Sequence, residues 1–208
     1  MKFLQILFAA CFGAILLLAP GQALAKKRYK GADAGYLVYS VSALGTPMQF
    51  NFLYRRIPAD AEPKWKGSLV CKCQGLLIGL YPGDMDYKGR ESGNVEVEQL
   101  PPGQYEIYGY EVTTGSLAYG GYWRPNAEFS MPFTIQPGQT TYIGNFARSC
   151  SVDSGCDRLG LGYFIVSDKA ERDLGIARGK EPALPAVTSQ VFDVTKLGSP
   201  VFAAEEVH

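Results

Sequence analysis

The chain has 208 residues, enough for one domain or at most two small ones, and its 20 basic and 20 acidic side chains cancel. That balance removes a strongly basic nucleic-acid binder, which needs a clustered excess of lysine and arginine to neutralise phosphates. The single histidine, His208, is the last residue. A fraying terminus cannot hold an imidazole in a fixed geometry, so Ser-His-Asp and Cys-His mechanisms and histidine-rich metal sites fall away too. Gly 24, Pro 13 and Tyr 13 point to a turn-rich, aromatic, all-β domain.

The first segment reads as an address. Lys2 precedes an apolar run from Phe3 to Ala19 that only Gln5 interrupts, and Pro20-Gly21 breaks it. Ala23 and Ala25 place small residues where a signal peptidase wants them, which predicts a signal peptide over 1–25 with cleavage after Ala25. A retained anchor is the rival, although the run is slightly short of the roughly 20 apolar residues a span needs. Lipidation at Cys11 is disfavoured: Phe8 is too bulky for a lipobox, and the apolar run continues past the cysteine. Export to the periplasm or beyond follows, with membrane contact only if the leader is retained. Lys26, Lys27, Arg28 and Lys30 belong to a flexible lead-in over 26–34, where such a short basic run normally just ends a leader.

Cys71, Cys73, Cys150 and Cys156 then remain, an even number that reads as a disulfide framework in an exported chain. Their pairing is open among three connectivities. In an extended strand Cys71 and Cys73 lie about 6.5 Å apart with parallel Cβ vectors, so a bond between them needs a kink, and cross-bridging to the Cys150–Cys156 loop is the favoured alternative. The spacings do not match zinc knuckles, so no metal and no other cofactor is expected.

In chain order, Tyr36 to Val41 reads as a strand. Met48, Phe50 and Phe52 share one face of the next. Leu69 to Leu80 forms one long strand or two, bent at Gly75. Val95, Val97 and Gln99 oppose Glu96 and Glu98 in a half-exposed strand, with the glutamates outward. Pro102-Gly103 fits a type II turn, and Tyr105 to Val112 returns. Strict alternation puts Tyr108 and Tyr110 on one face, opposite Tyr105 and Ile107. Phe129, Met131, Phe133 and Ile135 alternate in a strand that Pro132 marks as an edge or bulge. Pro137-Gly138 repeats the turn before Thr140 to Phe146, which suggests a second hairpin. Tyr163 to Val166 is a buried strand. Asp168 as N-cap and Glu171 start a short helix that Leu174-Gly175 ends. Val191 to Val194 adds a last strand. The domain spans 35–195 and the tail 196–208 is loose.

The stretch Leu100-Pro101-Pro102-Gly103-Gln104-Tyr105-Glu106-Ile107 resembles the transthyretin-like, carboxypeptidase-regulatory-like group of β-sandwich modules. Phe133 to Gly144 is similar to the following hairpin of several exported bacterial families. The likeness covers 94–148. It implies an antiparallel β-sandwich of transthyretin (prealbumin) type, here with one short C-terminal helix, and it carries over no catalytic residue.

The candidate chemistry is sparse. Asp84, Asp86 and Glu91 offer too few oxygens for calcium and are countered by Lys88 and Arg90. The same holds for Asp153 and Asp157. Glu96 with Glu98, or Glu106 beside Tyr108, are the carboxylates a hydrolase of envelope polysaccharide would use, though outward strand residues explain them more simply. Aromatic residues are the larger surplus. Tyr119, Tyr122, Trp123 and Arg124 form the candidate binding surface, because exposed tyrosine and tryptophan bring area and a polar tip to a contact. The reading is a noncatalytic binding or assembly module of the envelope or secreted space. Its partner would be an envelope protein or carbohydrate, with no nucleic acid. A carboxylate-dependent hydrolase and a membrane-tethered structural protein are the alternatives.

Overall fold

A computed structural model describes residues 28–45, 49–71, 73, 83–85, 91–114, 121–124, 129–150, 163–199 and 201–204. Eleven strands run through them: β1 (Gly35–Gly45), β2 (Gln49–Ile57), β3 (Lys66–Val70), β4 (Glu91–Leu100), β5 (Gly103–Thr114), β6 (Gly121–Trp123), β7 (Met131–Ile135), β8 (Thr140–Cys150), β9 (Tyr163–Ser167), β10 (Val187–Ser189) and β11 (Phe202–Ala204). Helix α1 (Ala170–Lys180) and a 3-10 turn, Val194–Leu197, complete them. The fold is all-β in character. The first sheet runs β11-β9-β8-β1-β4, with β10 also on β8. The second runs β3-β2-β5-β6, with β7 also on β5.

The two sheets bury their facing sides in one core. Leu37, Tyr39, Val41 and Ala43 of β1 meet Phe50, Phe52 and Tyr54 of β2, with Ile107, Tyr110, Phe146 and Phe164 between them. The ring of Phe52 lies 4.7 Å from Phe164 and 5.1 Å from Phe146 between centroids, in the tilted and edge-on arrangements that the ring quadrupoles favour. Phe202 of β11 enters the same cluster, 4.9 Å from Phe129. Near the opposite end, Tyr29 of the lead-in sets its ring edge-on to Trp65.

The first sheet departs from the antiparallel expectation. β1 pairs β4 antiparallel but β8 parallel, and β10 and β11 also join their neighbours in parallel. A parallel pair needs a long crossover, and the excursion of β5, β6 and β7 through the other sheet supplies it between β1 and β8. The first sheet is also covered on both faces. Ala177 of α1 packs on Val38, Val95 and Tyr142, with Leu174 and Ala170 beside it. Hence Val95 turns toward the helix, and the outward position expected for Glu98 is reversed: it faces the second sheet and is buried.

The two Pro-Gly turns are not hairpins. Leu100 ends β4 in the first sheet and Gly103 starts β5 in the second, and the turn between β7 and β8 crosses back. Proline cannot donate to a ladder, so the chain leaves its sheet there. The corner is pinned by side chains. The Tyr105 hydroxyl donates to the Pro101 carbonyl at 2.7 Å, and Arg56 Nη2 donates to the Pro102 carbonyl at 2.7 Å. A tyrosine bonded to backbone a few residues upstream is a recurring sandwich corner. Gly103 has φ +150°, and a Cβ there would come within 2.6 Å of Arg56 Nε.

Three further expectations shift. The helix starts at Ala170, after Lys169, with Asp168 Oδ1 accepting from the Ala170 amide, and it continues past Gly175 to Lys180. Gly175 has open space around it, so nothing forces the helix to stop there. The last strands are β10 and β11, and 191–193 is irregular. Pro132 is exposed on β7, which among the described residues pairs only with β5, in keeping with the edge reading. The cysteine pairing, left open by the sequence, is given for one pair. Cys71 and Cys73 are joined to each other, their Cα atoms 5.2 Å apart, because the chain leaves strand geometry after Val70. Cys150 ends β8, and Cys156 lies outside the described residues.

Candidate functional site

A register shift brings an aromatic ring, that of Tyr108, to the outer face of the second sheet. Phe52 pairs Tyr110 and Leu53 pairs Gly109, but Tyr54 pairs Ile107, so Tyr108 is the extra residue of a β-bulge. A bulge resets alternation. Ile107 and Tyr110 both point into the core, 1% and 3% exposed, while Tyr108 stays half-buried on the outer side. The expected sharing of a face by Tyr108 and Tyr110 therefore fails, for a reason that strict period-two counting cannot contain.

Charged groups surround that ring. The Arg55 guanidinium carbon lies 4.4 Å from the Tyr108 centroid and that of Arg124 lies 6.0 Å from it, both within cation–π range. Arg55 Nε donates to Glu106 Oε1 at 2.8 Å, and the Ser130 hydroxyl donates to Glu106 Oε2 at 2.7 Å. Arg124 Nη1 stands 4.0 Å from Glu111 Oε1. Burial pulls the Glu106 carboxyl upward, but its bonds from Ser130 and Arg55 outweigh that and hold it below the ordinary carboxylate value. The result is a flat patch in which a phenol is flanked by two arginines and two glutamates. Of the residues singled out in the sequence, Arg124 is exposed and belongs to this patch. Tyr122 and Trp123 lie in β6 across from Thr113 and Val112, and Tyr119 falls outside the described residues.

Two buried polar clusters were not legible in the sequence. Under α1, Asp173 is fully buried. Its Oδ2 accepts from the Ser40 hydroxyl at 2.5 Å and from the Tyr142 hydroxyl at 2.8 Å, and its Oδ1 accepts from Arg172 Nε at 2.8 Å. Arg172 Nη1 also donates to Glu91 Oε2 at 2.8 Å, and Asn145 Nδ2 donates to Glu91 Oε1 at 3.1 Å. Burial, then the Asp173 charge, push the Tyr142 phenol well above its ordinary value. Both carboxylate oxygens of Asp173 are engaged, and the arrangement holds the helix to the sheet.

Between the sheets, Glu98 accepts from the Tyr39 hydroxyl at 2.5 Å and from the Tyr54 hydroxyl at 2.8 Å. Burial, with Glu98 next, raises both phenols. Arg148 is buried as well, and burial lowers its pKa. Two of the carboxylates weighed and set aside as calcium ligands form ion pairs. Asp84 pairs with Lys180, and Glu91 with Arg172. Asp86, Asp153 and Asp157 lie outside the described residues, among which no group of three or more metal-ligating side chains gathers.

No family model matches the chain, and no curated protein matches it. Among solved structures, it is similar to a leucine-rich repeat protein from Bacteroides thetaiotaomicron at 12% identity and a TM-score of 0.31, over 56% of this chain and 14% of the other.

Proposed function

We propose that the chain is an exported, noncatalytic binding or assembly module of the cell envelope or secreted space, built on a transthyretin-like sandwich, and that it holds an envelope polysaccharide against the outer face of the second sheet. The observation that carries this reading is the bulge that lifts Tyr108 between Arg55 and Arg124. Helix α1 packs on the outer face of β1, β4 and β8, whereas the patch on the second sheet sets an aromatic ring beside the exposed Arg124. A phenol ring gives a sugar ring an apolar platform, and the flanking guanidinium and carboxylate groups can bond its hydroxyls. The noncatalytic part rests on how the carboxylates are spent: both oxygens of Glu106 go to Arg55 and Ser130, and those of Glu98 go to two tyrosines.

The test is co-sedimentation with envelope polysaccharide and, separately, with envelope protein fractions. Tyr108→Ala is expected to weaken polysaccharide binding about tenfold or more, the size of loss expected at an aromatic anchor, with an unchanged unfolding midpoint. Binding that is indifferent to Tyr108→Ala refutes the site. Retention by the protein fraction alone moves the reading to a protein partner.

A further inference from the structure

Strand pairing lines up more positive than negative charge on the outer face of the second sheet. Residues directly opposite each other on neighbouring strands point to the same face. Arg55 of β2 therefore stands beside Glu106 of β5 on one side and beside Lys66 of β3 on the other. Glu111 lies farther along the same face of β5, opposite Asn51, and Arg124 approaches it from the end of β6. The described side chains of this face thus set three cations, Lys66, Arg55 and Arg124, against two carboxylates, Glu106 and Glu111.

Both carboxylates are taken. Glu106 accepts from Arg55 Nε and from the Ser130 hydroxyl, one on each oxygen, and Glu111 lies against Arg124. Lys66 is exposed, and no carboxylate among the described residues pairs with it. Its register partner is itself a cation, and like charges directly opposite in a sheet cost stability. A lysine on an outer strand also discourages foreign strands, but that role does not call for an arginine opposite. Lys66, Arg55, Tyr108 and Arg124 follow one another across β3, β2, β5 and the end of β6, three strand spacings or about 14 Å. Positive charge therefore runs on from the Tyr108 ring toward β3.

We propose, resting on the reading of this face as a polysaccharide site, that the polysaccharide it takes is acidic. A sugar ring lies on Tyr108, and the carboxylate of a neighbouring uronic acid unit sits between Lys66 and Arg55. There it meets the planar fork of a guanidinium and the point charge of an ammonium together, and it relieves their mutual repulsion. A neutral glycan leaves that repulsion in place.

Equilibrium binding of the full chain to polygalacturonate, and to the same polymer with its carboxyls methyl-esterified, tests this. The ester keeps the sugar rings and removes the charge. The wild type is expected to bind the acid about tenfold more tightly than the ester at low salt, and added salt is expected to shrink the difference, because exposed charges are screened. Lys66→Gln should cut the preference about three- to fivefold, the upper range for one exposed ion pair, and Lys66→Arg should retain it. Acid and ester bound alike, no binding of the acid, or a preference that Lys66→Gln leaves intact overturns the inference; the last is the result expected of a lysine that only guards the edge. Tyr108→Ala separates this from the reading it rests on. Equal binding of acid and ester that both need Tyr108 removes the acidic class and keeps the face, whereas binding indifferent to Tyr108→Ala removes both.

Discussion

Replacing Asp173 with alanine is expected to cost about 3 kcal/mol of folding stability, near the lower end of what removing one partner of a buried charge pair costs. The magnitude follows from who is stranded. Ser40 and Tyr142 are fully buried, so their hydroxyls cannot turn to water after the carboxylate is gone. Arg172 is about a third exposed and keeps Glu91, so its charge recovers part of its solvation. The apolar contact of α1 centres on one buried side chain, Ala177, flanked by half-buried neighbours, which leaves little to compensate. Asp173→Asn retains an acceptor for one hydroxyl but loses the charge, and about half the loss is expected. Urea unfolding followed by circular dichroism measures both, and an unchanged slope shows that the midpoint shift is a stability change. In a heat scan the alanine variant should melt about 6–12 °C lower for a chain of this size. A loss below about 1 kcal/mol would refute the idea that this polar clasp holds the third layer.

Two further outcomes test the frame. Gly144→Ala should destabilise by about 1–3 kcal/mol in the same assay, because φ is +107° there and the new Cβ would lie 3.1 Å from the Ser167 carbonyl. Alkaline titration should unfold the protein once pH rises above the ordinary phenol value of 10.0, since buried Tyr39 and Tyr54 stay protonated in the fold while the unfolded chain releases those protons. Their raised values mean full stability below that pH and a loss of up to about 3 kcal/mol per pH unit above it, read by absorbance and circular dichroism together. Ionisation of Tyr39 and Tyr54 themselves without unfolding would contradict the burial of these two phenols.

The sequence carried the strand content because apolar and polar residues alternate over most of the chain, as at Phe50 and Phe52 or Phe133 and Ile135. It carried the edge position of β7 through Pro132. It could not carry the bulge at Tyr108, because a single inserted residue leaves the composition of β5 unchanged and shows only against its partner strand. Nor could it tell a corner from a hairpin at Pro101-Pro102-Gly103, since the same turn chemistry serves both. The clasp under α1 joins residues 133 positions apart, and Asp173 on an otherwise polar helix looks like a solvated charge until Ser40 is placed beneath it. Arg124 was found from local aromatic density, whereas Arg55 and Tyr108 needed strand pairing to bring them together.

The most direct measurement on the proposed binding face is hydrogen–deuterium exchange with and without envelope polysaccharide. Added polysaccharide is predicted to protect peptides spanning Leu53–Arg55 and Glu106–Glu111 while exchange under α1 stays as it was. Protection confined to the α1 side, or none along β5, would contradict the account.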